Sequence, residues 1–257
     1  MDRACNLFYK ETSSLENVDK GKCALHVIVP DTVAILSPCA GAVYPKAYQS
    51  GMGLVANASA SGYKVTFVGV TERQVIHTAR NVLAEGFLKT DCEWAFWLDS
   101  DMVLEARSIT VMMAWAKKLK ARLLTGLYFQ RLGQHMPLAL IRDEVNRKYE
   151  DVYSHTAVCP PPGSKTPFKV HAAGFGCILM HRSVLSEMEF PYFKYQYISD
   201  VKELSEDFYF CMKAREKKID LWVIPEITCK HIGEEPLIGM DDYIASSAGK
   251  EKMLVHV

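Results

Sequence analysis

Trp94-Ala95-Phe96-Trp97-Leu98 is apolar at every position, and two carboxylates, Asp99 and Asp101, follow it at once. A strand with one wet face alternates apolar and polar residues. One that is apolar throughout needs cover on both faces, as in a parallel sheet packed between helices. The segments around it fit that architecture. Val33 to Pro38 reads as a buried strand stopped by proline, Tyr48 to Ser61 as a helix that Gly62 ends, and Val65 to Val70 as a second strand. Thr71 and Gln74 have the T-x-x-Q spacing of a capping box. The helix they would open sets Val75, Ile76, Ala79, Val82, Leu83 and Phe87 on one face. After the third strand, Trp94 to Leu98, the pattern gives an amphipathic helix from about Ser108 to Lys120 and a fourth strand from Leu123 to Phe129. This alternation predicts an α/β protein. Its sheet should be doubly wound, open and mixed but mostly parallel, with helices on both faces.

The second half is less regular. Pro137 to Arg142 reads as a strand, and Asp143 to Lys169, with Pro160-Pro161-Pro162-Gly163 inside it, as a long polar loop. Val170 to Met180 has a strand pattern broken by Gly174 and Gly176; a helix from Ser205 to Lys217 and a strand from Leu221 to Ile224 follow. The 257 residues are expected to form one domain. Lys plus Arg (30) balances Asp plus Glu (30), so nothing in the bulk charge draws the chain to nucleic acid or to an acidic membrane. None of the eight cysteines sits in a C-x-x-C pair, and most lie in apolar runs, which predicts buried, reduced thiols. Met1 to Lys22 is polar and no apolar run reaches the length of a membrane span, so a soluble, cytoplasmic protein without a transmembrane segment is expected.

In an open α/β sheet, ligands bind beyond the carboxyl ends of the strands. Asp99 and Asp101 fall there. In an extended segment, residues i and i+2 point the same way, and two oxygen ligands on one side suit a hard cation such as Mg²⁺ or Mn²⁺. A solvated loop is the plainer reading. It is weakened by the cost of ending a fully apolar strand in two carboxylates unless they are paired or bound to metal.

Four segments together resemble GT-A fold glycosyltransferases of the family 2-like type. Phe96 to Met102 is similar to their D-x-D segment, and Thr78-Ala79-Arg80-Asn81 to the A-R-N of the preceding helix. Ser205-Glu206-Asp207 is similar to their acidic E-D motif at a helix start, and His231 to the histidine that completes their metal site. The resemblance covers about Val33 to Gly233. It implies a GT-A, Rossmann-like fold whose 24–130 half binds a nucleotide sugar and whose 131–257 half holds the acceptor and the catalytic groups. The implied activity is metal-dependent transfer of a sugar from a nucleotide diphosphate donor, UDP-sugar first among them, to a hydroxyl acceptor, with inversion. The acceptor could be a glycan, a protein, a small molecule or a modified nucleic acid.

The implied roles follow residue by residue. Asp101 is the direct ligand of Mn²⁺ or Mg²⁺, Asp99 holds the ribose or a metal-bound water, and His231 supplies nitrogen. Arg80 would reach the diphosphate as a fork of donors, or else be an ordinary surface arginine. Ser37 and Pro38 would border the nucleotide, and Glu72 would read base or ribose or only support a helix start. Asp207 is the expected base for the acceptor hydroxyl, with Glu206 as the alternative; acids in a first helical turn are also favoured by the helix dipole. Gly174 and Gly176 would lie beside the donor sugar or merely form a tight bulge. Apart from the resemblance, Tyr128, Gln130 and Arg131 end the fourth strand, a place from which they could face the acceptor. The Q-x-x-R-W motif of processive, membrane-bound relatives is absent, which points to single transfer. A nucleotidyltransferase is the nearest rival, although Cys39 to Lys46 makes a poor phosphate loop. A non-catalytic sugar-nucleotide-binding protein is the other alternative.

Overall fold

Trp94–Leu98 is a strand with all five residues buried, and it lies inside a seven-stranded sheet. The computed structural model describes residues 31–41, 43–70, 74–131, 134–142, 155–199, 202–233 and 237–245. Its first half runs β1 (Thr32–Pro38), α1 (Pro45–Ala60), β2 (Lys64–Val70), α2 (Ile76–Leu88), β3 (Trp94–Leu98), β4 (Met102–Val103), α3 (Ser108–Leu119) and β5 (Leu123–Leu127). Then follow β6 (Ala139–Arg142), β7 (His155–Ala157), β8 (Phe168–Val170), β9 (Ala172–Ala173), β10 (Cys177–His181) and α4 (Arg182–Ser186). Last come β11 (Gln196–Ser199), β12 (Lys202–Leu204), α5 (Glu206–Glu216), β13 (Leu221–Thr228), β14 (Lys230–Ile232), β15 (Leu237–Ile238) and α6 (Met240–Ala245).

The large sheet has the order β2-β1-β3-β10-β5-β13-β8. β2, β1 and β3 run parallel, as do β5 and β13. β10 lies antiparallel between β3 and β5, and β8 closes the far edge antiparallel to β13. Side chains of successive strand residues go to opposite faces. Leu36 and Trp97 therefore join Leu83 and Phe87 of α2 and Phe210 of α5 on one face. Ile35 and Phe96 join Leu54 of α1 and Ile109 of α3 on the other. Apolar burial on both faces is what an all-apolar β3 requires, and the expected mixed α/β sheet with helices on both faces is what forms.

Several local expectations are corrected. α1 starts three residues before Tyr48, because Pro45 carries a fixed φ that suits a first helical turn. α2 begins only at Ile76, behind Val75 as an N-cap residue with no side-chain cap. Gln74 precedes it and Thr71 lies outside the described residues, so no capping box opens this helix. The buried face of α2 is Ala79, Arg80, Asn81, Leu83, Ala84 and Phe87, while Val75 (60% exposed) and Val82 (48%) face outward. Two polar residues, Arg80 and Asn81, take interior positions because they find partners there.

The polar stretch from 143 to 169 is not one loop. Residues 143–154 lie outside the described residues, but β7 pairs with β6 and β8 pairs with β13. The expected strand from Val170 to Met180 is divided among three sheet positions, with β9 pairing to β6 and β10 placed between β3 and β5. The fourth strand ends at Leu127, and Phe129 makes an isolated bridge to Pro137. Among the described residues, Cys39, Cys92, Cys177, Cys211 and Cys229 are buried free thiols, and Cys159 is a half-buried one. No helix among them is long and apolar enough to cross a membrane.

Candidate functional site

The carboxyl end of β3 delivers Asp99, and the chain turns at once. Met102 N–H donates to the Asp99 carbonyl at 3.2 Å, and Asp99 N–H donates to the Gly176 carbonyl at 3.2 Å. The segment from Asp99 to Asp101 is thus a turn and not an extended strand, and the two carboxylates take different partners. Both line a cleft of about 210 Å³. Its other walls are Pro38, Cys39 and Ala40 after β1, and Gln74, Ile76 and Ala79 at the start of α2.

Asp99 belongs to a buried ionic cluster. Arg80, only 3% exposed, donates from Nη2 to Asp99 Oδ2 at 3.0 Å and from Nε to Glu206 Oε1 at 3.2 Å. Its guanidinium lies over the rings of Trp97 (6.0 Å) and Phe175 (5.5 Å). Burial pulls the Arg80 pKa down, but Asp99 and Glu206 more than offset this and hold it above its ordinary value. Burial raises the Asp99 pKa, and Arg80 counters only part of that rise. Arg80 is therefore neither the free fork nor the surface arginine that the sequence suggested. Its Nη1 and the Oδ1 of Asp99 are buried with no protein partner. Asp99 lines the cleft, and a polar ligand there would satisfy an orphaned buried oxygen.

Asp101 forms a second pair. Its Oδ2 lies 3.2 Å from His231 Nε2 and 3.4 Å from Arg131 Nη1. Backbone pairing sets this geometry: β14 lies against β4 with His231 opposite Met102, and Ile232 N–H donates to the Asp101 carbonyl at 2.8 Å. His231 Nδ1 donates to the Phe129 carbonyl at 3.0 Å. A neutral ring held this way would aim its Nε2 lone pair at a carboxylate, so a proton or a cation has to sit between them. Burial opposes charging of His231, yet Asp101 raises its pKa overall. Burial likewise favours protonation of Asp101, but His231 and Arg131 keep its pKa below the usual value.

No group of three or more His, Cys, Asp or Glu side chains converges as a metal cage among the described residues. Asp99 gives its Oδ2 to Arg80, and Asp101 and His231 are the acid and imidazole, 3.2 Å apart, that a cation could bridge. An oxygen and a nitrogen donor of this kind fit Mn²⁺ better than Mg²⁺, with the remaining positions left to water or phosphate oxygens.

α5 brings the other two acids. Glu206, 6% exposed, is tied to Arg80 and hydrogen-bonded by Tyr195. Ser205 is the N-cap residue of α5, but its hydroxyl turns to Asp207 Oδ1 instead of a helix N–H. Asp207 Oδ1 also accepts from Phe208 N–H at 2.8 Å. Burial, and then the neighbouring Glu206, push the Asp207 pKa up to about 6. Glu206 is a partner of Arg80 and Tyr195, whereas Asp207 has the elevated pKa that suits a base near neutrality.

Gly174 and Gly176 face a protein side chain. A Cβ on Gly174 would meet the Tyr128 hydroxyl at 2.1 Å, and one on Gly176 would meet Met102 at 3.2 Å and Tyr128 at 3.3 Å. Tyr128 is 4% exposed and accepts from Gly176 N–H at 2.9 Å, so it is a buried wedge and not a surface facing an acceptor. Tyr128 leaves no room for a side chain at Gly174, and Met102 and Tyr128 together crowd Gly176. Gln130 is exposed, and Arg131 reaches Asp101. Pro38 lines the cleft; Ser37, half-buried, pairs with Gly69 at the end of β1. Glu72 lies outside the described residues.

Sequence reasoning missed the partner groups. Gln74 lines the cleft, and Tyr195 holds Glu206. Asn81 clamps the segment before β11: its Nδ2 donates to the Phe193 carbonyl at 2.7 Å, while its Oδ1 accepts from Tyr192 N–H at 3.0 Å and Phe193 N–H at 3.1 Å. Its place in Ala79-Arg80-Asn81 was the one available signal.

No protein-family model matches the sequence, and no curated protein matches it. Solved structures do resemble it. The crystal structure of A197 from STIV superposes with a TM-score of 0.53 at 17% identity, covering 82% of this chain and 91% of that one. That of GalNAc-T7 with UDP, GalNAc and Mn²⁺ has a TM-score of 0.50 at 10% identity, covering 78% of this chain and 43% of that one. The chain has the GT-A fold of glycosyltransferases.

Proposed function

We propose that the protein is a metal-dependent glycosyltransferase that moves one sugar from a nucleotide diphosphate, UDP-sugar first among the candidates, to a hydroxyl acceptor with inversion. The observation that carries this reading is the meeting of Asp99, Asp101, Glu206, Asp207 and His231, from three distant stretches of chain, around the carboxyl end of β3. On a GT-A sheet that is where a nucleotide sugar would lie.

Asp101 and His231 would hold Mn²⁺ or Mg²⁺. When bound, the ion supplies Lewis-acid stabilisation to the departing diphosphate. Asp99 offers the orphaned Oδ1 to a hydroxyl of the donor, with Arg80 fixing the carboxylate's orientation. Pro38, with Ser37 behind it, borders the nucleotide, and Glu72 would reach base or ribose from the segment after β2. The backbone near Gly174 and Gly176 lies behind the reacting sugar. Asp207 accepts the proton of the acceptor hydroxyl as the oxygen attacks the anomeric carbon; its elevated pKa leaves it ionised at neutral pH and still basic enough to take a proton.

The test is a thermal-shift screen of nucleotide sugars with and without Mn²⁺, followed by donor hydrolysis with the hits. A shift that needs both Mn²⁺ and nucleotide sugar, with slow release of free sugar that Asp207→Asn abolishes, is expected. Binding with no hydrolysis in any combination would identify a sensor instead. Failure of every nucleotide to bind would remove the reading altogether.

A further inference from the structure

Arg131 is the one group at this edge whose engagement the site has no use for once a cation arrives. One oxygen, Asp101 Oδ2, receives both His231 Nε2 and Arg131 Nη1. A divalent ion that takes this oxygen competes directly with the guanidinium. Among the described residues, Asp101 is the only hydrogen-bonding or ion-pair partner of the Arg131 guanidinium, and the side chain is 44% exposed. It is thus free to swing. Arg80, the other guanidinium nearby, is buried and held by two carboxylates. The connection between β5 and β6 that carries Arg131 is itself anchored: Gln130 N–H donates to the Met136 carbonyl at 2.9 Å, and Phe129 bridges to Pro137. The same connection orients His231 through the Phe129 carbonyl. The side chain can move while its base stays put.

We propose that Arg131 is the resident counter-ion of Asp101 in the unloaded site, and that it turns to the diphosphate of the donor once a divalent cation takes Asp101 over. The inference rests on the glycosyltransferase reading above. A planar guanidinium suits this exchange because it pairs with a carboxylate and with phosphate oxygens through the same fork of donors. It holds the Asp101 carboxylate in place before loading, and it adds a positive charge to the leaving group after loading. The proposal predicts opposite effects on two ligands, which a merely structural arginine would not give.

The experiment measures Mn²⁺ binding, and UDP binding at saturating Mn²⁺, by titration calorimetry on the full chain. Wild type, Arg131→Met and Arg131→Lys are compared. Losing the exposed competitor should tighten Mn²⁺ binding by Arg131→Met about threefold, the scale of an exposed ion pair. UDP binding should weaken about tenfold, the scale of a charge-assisted hydrogen bond. Arg131→Lys should match wild type for Mn²⁺ and fall between the two for UDP. Unchanged or weaker Mn²⁺ binding by Arg131→Met, or both ligands moving the same way, overturns the proposal while the site reading stands. Failure of wild type to bind Mn²⁺ and UDP overturns both.

Discussion

Replacing Arg80 with methionine separates two roles that a sequence motif cannot. If Arg80 were a donor-binding fork in open solvent, Arg80→Met would weaken nucleotide binding and leave the empty protein as stable as before. The structure gives the opposite order. Arg80 is 3% exposed and ends two ion pairs at 3.0 and 3.2 Å, with side-chain exposures of 26% for Asp99 and 7% for Glu206. Removing one partner from a buried pair leaves uncompensated charge, a loss of about 3–5 kcal/mol. Methionine keeps most of the apolar stem, so lost packing over Trp97 and Phe175 contributes little beyond the cation–π attraction, roughly 1 kcal/mol. The partial exposure of Asp99 lets water take up some of the cost. A loss of about 3 kcal/mol in urea denaturation of the ligand-free protein at pH 7 is therefore expected, at the lower end of that range.

The pH dependence checks the cause. A carboxylic acid whose folded pKa lies above its unfolded one carries its full penalty at pH above the folded value; the penalty shrinks as pH falls from the folded to the unfolded pKa and is gone below the latter. Burial already raises the Asp99 pKa, and Arg80 offsets part of the rise. Without Arg80 the carboxyl moves further up, so the deficit of Arg80→Met should be smaller at pH 5 than at pH 7. Adding Asp99→Asn and Glu206→Gln to Arg80→Met should restore most of the loss at pH 7. A deficit below about 1 kcal/mol at pH 7, within the range of ordinary surface changes, would refute the buried-cluster argument.

Three further outcomes follow from the same geometry. With the Asp207 pKa at about 6, kcat/KM should fall as pH drops through 6, and Asp207→Asn should abolish turnover while donor affinity in calorimetry stays near wild type. His231 has a raised pKa and must lose its proton to bind a cation, so Mn²⁺ affinity should rise with pH from 6 to 8; calorimetry in buffers of different ionisation enthalpy should show proton release, absent in His231→Gln. Gly174→Ala should cost about 1–3 kcal/mol by driving a methyl into the Tyr128 hydroxyl, and the double variant with Tyr128→Phe should lose less than the two single losses added, whereas a glycine kept only for a ligand would give additive losses.

Much of the fold was legible because its strands near the site are apolar on both faces. The stretch from Trp94 to Leu98 has to be covered twice, and that alone calls for helices on both sides of a sheet. Periodicity failed where polar residues were buried. The face of α2 was drawn through Val75 and Val82, and the real face turns inward through Arg80 and Asn81 because Asp99, Glu206 and the Phe193 backbone wait there. β7 and β8 escaped notice because their strand character comes from backbone pairing with β6 and β13, which no local pattern encodes.

The site shows the same division more sharply. Residue type and position at a strand end pointed to Asp99 and Asp101, while Asp207, at a helix start, and His231 were singled out only through the family resemblance. What they could not give is which charge answers which. Asp99 and Asp101 are two residues apart and were expected to act as one pair of ligands. A turn sends the first to a buried guanidinium from α2 and the second to an imidazole from β14. Packing of α2 against β1 and β2 carries Arg80, and the pairing of β4 with β14, far apart in the chain, brings His231 beside Asp101. The consequence is chemical. One carboxylate, held by Arg80 through one oxygen, keeps its second oxygen without a protein partner. The other faces a histidine across a gap that a proton or a cation must fill, and is suited to exchanging one for the other.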